Sequence, residues 1–155
     1  MRPSYADAFE SPLGFVRFLL RDYRSAAEAY RRALELEPDS LLTRFNLATA
    51  LEAQGEPAAA RELYRALLGD LEAAGGDLDA RSRMIEAQCL ARLGRHAEAA
   101  ELAEKVLERR PEDVQILHQA AQTYALVGER LSALYYVERC VEKGLRREWF
   151  EIPAF

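Results

Sequence analysis

The chain has 155 residues, of which 50% are hydrophobic and 30% are charged, with a net charge of −5. This length and composition support a buried core, and the mild, mixed charge disfavours nucleic acids and membrane surfaces as partners. No apolar run approaches the length needed to cross a bilayer, and residues 1–10 lack the apolar core of a signal peptide.

The two cysteines, Cys89 and Cys140, fall in separate stretches of helical composition and outside any CxxC pattern. We expect them to be reduced, half-buried core thiols rather than a disulfide or a pair of metal ligands. Together with the missing signal peptide, they predict a cytoplasmic protein.

The first helix is predicted to begin at Ser11 and Pro12, with the serine as N-cap and the proline in the first turn. Tyr5, Ala8 and Phe9 precede it and form either a short additional helix or an extended lead-in.

A pattern of small and larger apolar residues then returns four times along the chain. Its most regular column is alanine, with spacings of 34, 39 and 34 residues, at Ala26, Ala60, Ala99 and Ala133. A residue four positions later completes a helical stripe, at Tyr30, Tyr64, Ala103 and Val137. A second small column lies upstream, at Gly14, Ala48, Ala87 and Ala121. Each repeat therefore contains two helices.

Turn residues separate these helices in a regular way. A glycine able to end a helix stands between the two helices of three repeats, at Gly55, Gly94 and Gly128, and Arg21 takes this place in the first. Pro57 suits the first turn of the helix that follows it, and Pro38 and Pro111 close their repeats.

The spacing of 39 places an insertion of about five residues between the second and third repeats. We expect it to lengthen the second helix of that repeat to residues 57–74, ended by Gly75 and Gly76 and followed by a capping Asp77 or Asp79. A longer loop is the alternative.

The pattern resembles the tetratricopeptide repeat family, in which a helical pair of about 34 residues carries small residues at the helix crossing, an Ala-x3-Phe step and a terminal proline. Ala26, Tyr30 and Pro38 match this pattern closely, as do Ala60 and Tyr64. The third and fourth repeats keep the small residues but lack the aromatic one.

This resemblance implies an all-α fold, a right-handed superhelical solenoid of about four helical hairpins in a single domain spanning residues 1–155. The expected repeats are residues 7–40, 41–79, 80–113 and 114–147. Residues 145–155 are expected to cap the last repeat with apolar side chains, namely Trp149, Phe150, Ile152 and Phe155. A docking tail or a junction to a further domain is the alternative for this segment.

The resemblance further implies a non-catalytic scaffold that binds a peptide or a partner protein in a concave groove lined by the first helix of each repeat. The candidate groove residues are Phe15, Phe18, Phe45, Thr49, Arg81, Met84, Gln88, Gln115, His118 and Gln122. For the three phenylalanines a core position is the alternative, and for His118 an ordinary polar contact. Gln amides suit a ligand backbone because each offers donors and an acceptor.

No catalytic or metal-binding spacing occurs in the sequence, so we expect neither an enzyme nor a cofactor. Two other functions remain open. One is a self-associating assembly module, which would make the chain a homo-oligomer. The other is a regulatory appendage of a larger bacterial signalling enzyme, since the last repeat loosely resembles repeats that follow bacterial kinase or cyclase domains.

Overall fold

The computed structural model describes residues 10–145, which form helices and turns with no β-strand in that range. The helices are α1 (Glu10–Leu19), α2 (Tyr23–Leu36), α3 (Leu41–Ala53), α4 (Pro57–Ala74), α5 (Ala80–Arg92), α6 (His96–Arg109), α7 (Val114–Leu126) and α8 (Arg130–Glu142). A short 3-10 turn, Gly75–Asp77, follows α4. The all-α prediction is confirmed.

The chain divides into two compact units, a first unit of Met1–Leu67 and a second unit of Leu68–Phe155, and the division falls within α4. Each unit is described by itself. The extent of a single domain over residues 1–155, with its four repeat boundaries, stays a prediction.

In the first unit, α1 and α2 form a hairpin, and α3 packs against α2 and more lightly against α1. The small residues of the repeat pattern lie at these crossings, where Ala26 and Ala48 have no exposed surface. Tyr30 is 1% exposed and its ring lies directly over Gly14. Small side chains therefore allow the helix backbones to approach, and the aromatic ring fills the space left over.

In the second unit, α5 and α6 form one hairpin and α7 and α8 another, while α7 packs against both α5 and α6. Their shared core joins all four helices through Met84, Ala103, Leu117 and Cys140, among others. Residues on the apolar stripe of each helix are thus buried by the neighbouring helices, as expected for stacked hairpins.

Side-chain caps set where several helices begin. At the start of α2, α3, α5 and α7, a side-chain oxygen of the N-cap residue accepts a hydrogen bond from a backbone N–H of the first turn. These N-cap residues are Asp22, Ser40, Asp79 and Asp113. At α5, Asp79 accepts from the backbone N–H of Ser82 at 2.7 Å. Each cap satisfies a donor that has no partner within its own helix.

The turns inside the hairpins use a left-handed residue. Gly94 has a φ of 83°, and Arg21, which replaces glycine in the first hairpin, has a φ of 62°. A side chain at such a φ brings Cβ close to the backbone carbonyl, so Arg21 holds a strained conformation that glycine adopts freely.

The predicted insertion has the structure that the sequence indicates. The helix α4 runs from Pro57 to Ala74, Gly75 ends it with a φ of 63°, and Asp79 caps α5. The side chain of Arg83 donates to the carbonyl oxygen of Gly75 and pairs with Glu86 at 2.7 Å, so it joins α5 to the turn after α4.

Two local predictions need correction. Ser11 lies inside α1 rather than before it, and its hydroxyl oxygen is 3.3 Å from that of Thr43. Cys89 and Cys140 form no disulfide, and both have no exposed surface instead of being half-buried; Cys140 lies in the core shared by the helices of the second unit.

The predicted lead-in at residues 5–9 and the apolar cap residues between 149 and 155 lie outside the described residues. Within residues 10–145, no helix combines the length and the apolar character of a membrane span.

Candidate partner-binding surface

The side chain of Gln88 joins two first helices of the second unit. Its amide nitrogen donates to the side-chain oxygen of Gln122 at 3.1 Å and to the backbone carbonyl of Gln119 at 3.4 Å. Gln88 is 3% exposed, so the amide nitrogen of a buried side chain is satisfied across the α5–α7 crossing. The two predicted glutamines are therefore brought together.

The other candidates of the second unit follow the same helix faces. On α7, Gln115, His118 and Gln122 are three and four residues apart and so share one stripe. On α5, Arg81 stands seven residues before Gln88, two helical turns away on the same side. Arg81 and Gln115 are exposed, and the other two α7 residues are half-buried.

Met84 does not belong to this surface. Its side chain has no exposed area and is part of the hydrophobic core of the second unit. The position was assigned to the groove from its place in the repeat. Its long apolar side chain instead fills space between helices, as methionine does readily in cores.

In the first unit, Phe45 and Thr49 meet the side chain of Tyr64. The rings of Phe45 and Tyr64 are tilted with their centroids 5.7 Å apart. The hydroxyl of Thr49 donates to the carbonyl of Phe45 at 3.0 Å, and its oxygen is 3.2 Å from that of Tyr64. Both residues are half-buried, so they present part of their surface and also support the fold of their unit.

The remaining two candidates lie on α1. Phe18 is 6% exposed and its ring packs against Tyr23 with centroids 5.2 Å apart, so it is a core residue. Phe15 is half-buried. For Phe18 the core alternative is thus the one that the structure supports.

Sequence reasoning missed the part played by Gln119. Its backbone carbonyl accepts the hydrogen bond from Gln88 as well as one from the hydroxyl of Thr123 at 2.8 Å. A threonine four residues after a glutamine was the available signal, because threonine commonly bonds back to the carbonyl one turn earlier. No group of three or more His, Cys, Asp or Glu side chains within residues 10–145 is arranged to hold a metal ion.

Comparison with known families decides what these hairpins are. The model of the tetratricopeptide repeat family matches residues 18–77 and 70–114, which together make up more than half of the chain. The chain belongs to the tetratricopeptide repeat family. The candidate residues lie on α1, α3, α5 and α7.

Several solved structures are similar to the chain. YrrB, described as a TPR protein with an unusual peptide-binding site, is 21% identical, with a TM-score of 0.47 over 93% of this chain and 72% of YrrB. MamA is 20% identical, with a TM-score of 0.47 over 88% of this chain and 77% of MamA. PilW, a type IV pilus biogenesis factor, is 17% identical, with a TM-score of 0.46 over 97% of this chain and 84% of PilW. These likenesses concern the helical fold, and no function is transferred from them. No curated protein matches the sequence.

Proposed function

We propose that the chain is a non-catalytic protein–protein interaction scaffold and that it binds a peptide or partner protein on the first helices of its hairpins. The observation that carries the proposal is the paired amides of Gln88 and Gln122. Within the described residues, the amide nitrogen of Gln122 donates no hydrogen bond, and the side-chain oxygen of Gln88 accepts none. Because Gln122 is half-buried and Gln88 is buried, the amide nitrogen of Gln122 is the spare donor that this surface can offer to a ligand.

Spare amide groups of this kind match the backbone of an extended peptide, which offers an N–H and a C=O at each residue. The surface also carries the exposed guanidinium of Arg81, whose fixed fork of donors suits a carboxylate of the ligand. We therefore propose Arg81, Gln115, His118 and Gln122 as the contact residues of the second unit, with the buried Gln88 holding the side chain of Gln122 in place. For the first unit, the exposed parts of Phe15, Phe45 and Thr49 are the proposed counterparts.

The full chain first serves as bait, and the partner protein that it retains is identified by mass spectrometry. The affinity of the chain for that partner is then measured by calorimetry. The double variant Gln115→Ala/Gln122→Ala should weaken binding by about tenfold, the loss of roughly two hydrogen bonds. Glu108→Ala, an exposed change on α6, is the control and should bind normally. Phe45 is left unchanged, because its ring supports Tyr64. Equal affinity of the double variant and the control would place the contact elsewhere.

Self-association and attachment to a larger signalling enzyme stay predictions. Sedimentation of the intact chain and of a chain ending at Gly144 tests the first, and identical monomers in both would exclude it. A start codon far upstream in the reading frame would support the second. Cys89 and Cys140 are buried and form no disulfide, which supports a reducing location such as the cytoplasm.

A further inference from the structure

A pocket of about 580 Å³ opens in the second unit between α6, the end of α7 and the start of α8. Three tyrosines and three glutamates dominate its lining, namely Tyr124, Tyr135, Tyr136, Glu101, Glu104 and Glu129. The pocket lies away from the surface proposed above. Tyr124 is two residues beyond Gln122 on α7, a rotation of about 200° around the helix.

The tyrosines form a connected aromatic wall. The rings of Tyr124 and Tyr136 are stacked, with centroids 5.4 Å apart and planes 8° apart. Tyr135 meets Tyr136 edge-on at 5.0 Å. Tyr124 is 7% exposed and anchors the wall in the core, whereas Tyr135 is 50% exposed and reaches solvent. A fixed aromatic face attracts cations through its quadrupole.

The glutamates make the pocket negative. Glu101 is paired with Lys105 at 2.6 Å, and Glu129 accepts a hydrogen bond from Ser132. Glu104 has no salt bridge to any residue between 10 and 145. Burial raises the pKa of Tyr124 to about 12, with smaller contributions from Tyr136 and from the carboxylates of Glu104 and Glu129. The carboxylates of Glu104 and Glu129 thus disfavour a negative charge on Tyr124.

The same chain already holds a guanidinium in this kind of environment, on the neighbouring turns of α8. The guanidinium carbon of Arg139 lies 5.9 Å from the centroid of Tyr135, and one of its nitrogens donates to the tyrosine hydroxyl at 3.1 Å. Another nitrogen donates to Glu112 at 2.6 Å. Tyr135 thus already contacts one guanidinium of its own chain, and a carboxylate pairs with the same guanidinium.

We propose that the pocket between α6 and α8 binds an arginine side chain of a partner protein, with the exposed ring of Tyr135 against the guanidinium plane and Glu104 as its carboxylate partner. A guanidinium fits because it stacks on rings and donates in a planar fork, whereas an ammonium does neither. This site is separate from the amide surface on α5 and α7 and does not depend on it.

The experiment titrates the isotopically labelled full chain with N-acetyl-arginine methylamide and follows backbone amide shifts by NMR. We expect saturable binding in the millimolar range, with the largest shifts around Glu104, Leu131 and Tyr135. The uncharged isostere N-acetyl-citrulline methylamide should cause no saturable shifts. Binding should weaken as the salt concentration rises, because exposed charges are screened.

Variants then assign the contact. Glu104→Gln and Tyr135→Leu should each weaken arginine binding by about threefold or more. Glu108→Gln removes the same charge one turn further along α6, outside the pocket, and should change the affinity for the arginine probe little. Gln122→Ala should leave the affinity for the arginine probe unchanged, which separates this pocket from the amide surface on α5 and α7. Circular dichroism of each variant confirms the fold.

Three results would overturn the proposal. The first is equal binding of the arginine and citrulline probes, and the second is equal effects of Glu104→Gln and Glu108→Gln. The third is binding of N-acetyl-lysine methylamide as tightly as the arginine probe, because the site would then recognise charge alone.

Discussion

A β-carbon at Gly14 would lie 2.7 Å from Cε1 of Tyr30. Real β-carbons do not come so close to another heavy atom, so only glycine lets the backbone of α1 rest on this ring. Tyr30 cannot easily move aside, because it is 1% exposed and packed on all sides. The α1–α2 hairpin therefore depends on the absence of one methyl group.

Gly14→Ala should destabilise the chain by about 1–3 kcal/mol, because overpacking outweighs the better helix propensity of alanine. The measurement is urea unfolding followed by circular dichroism. Gly69→Ala is the matched control, since Gly69 lies within α4 and its added β-carbon would meet nothing within 4 Å. That control should stabilise the chain by up to about 1 kcal/mol. Stabilisation by both changes would contradict the close contact.

Arg21→Gly should stabilise the chain by about 0.5–1 kcal/mol, because it relieves a φ of 62° on a residue with a side chain. The gain is partial, since glycine also raises the entropy of the unfolded state. The reverse change, Gly94→Ala, should cost about 1 kcal/mol at the equivalent turn, where φ is 83°. Thermal melts of the two variants provide the comparison. A lower melting temperature for Arg21→Gly would show that the arginine side chain contributes more stability than its strained backbone conformation removes.

Asp79→Ala should destabilise the chain by about 1 kcal/mol near neutral pH through loss of the α5 cap. Hydrogen bonds from Ser82, the backbone N–H first and then the hydroxyl, hold the pKa of Asp79 below its usual value. A carboxyl with a depressed folded-state pKa stabilises above its unfolded pKa of about 3.9, and this contribution disappears as pH falls through the folded-state pKa. The difference between the two proteins should therefore shrink in acid.

The matched control for the cap is Asp79→Asn, because asparagine caps helices about as well as aspartate and has no charge to titrate. It should be close to the original chain in stability at neutral pH. Urea midpoints measured at several pH values test both variants. A gap between original and Asp79→Ala chains that is the same at pH 2 and pH 7 would argue against a role for the carboxylate.

Cys89 and Cys140 should not react with Ellman's reagent while the chain is folded, because neither has exposed surface. Burial also raises the pKa of Cys140 to about 11, so the reactive thiolate is scarce at pH 8. Both thiols should react at once in guanidinium chloride. Reaction of either thiol within seconds under native conditions would mean that the structure around it opens far more readily than its burial implies.

Local chemistry allowed most of the helical pattern to be predicted from the sequence. The insertion after the second repeat is the clearest example. Pro57 marks a first turn and Gly75 a left-handed end through their backbone preferences, and Asp79 marks a cap through its side-chain carboxylate. Ser11 failed as a cap because the same hydroxyl can also face a neighbouring helix, as it does near Thr43.

The candidate surface could be predicted only in part, because the repeat pattern fixes which face a residue occupies and not how deeply it is buried. The pattern assigned Gln88, Gln122 and Met84 alike to the groove. In the structure the glutamines meet at the α5–α7 crossing, whereas Met84 lies in the core. The arginine pocket was missed for a related reason. Its tyrosines and glutamates come from three helices, and no single stretch of sequence contains them together.

By itself the sequence determined the helices, their turns and the tetratricopeptide family, because these depend on residue types at short, regular spacings. Only the tertiary structure decided which side chains are buried, which amides pair and where aromatic rings gather beside carboxylates. Those outcomes depend on distances between helices, and a distance between helices is a property of packed volumes that spacing along the chain does not specify.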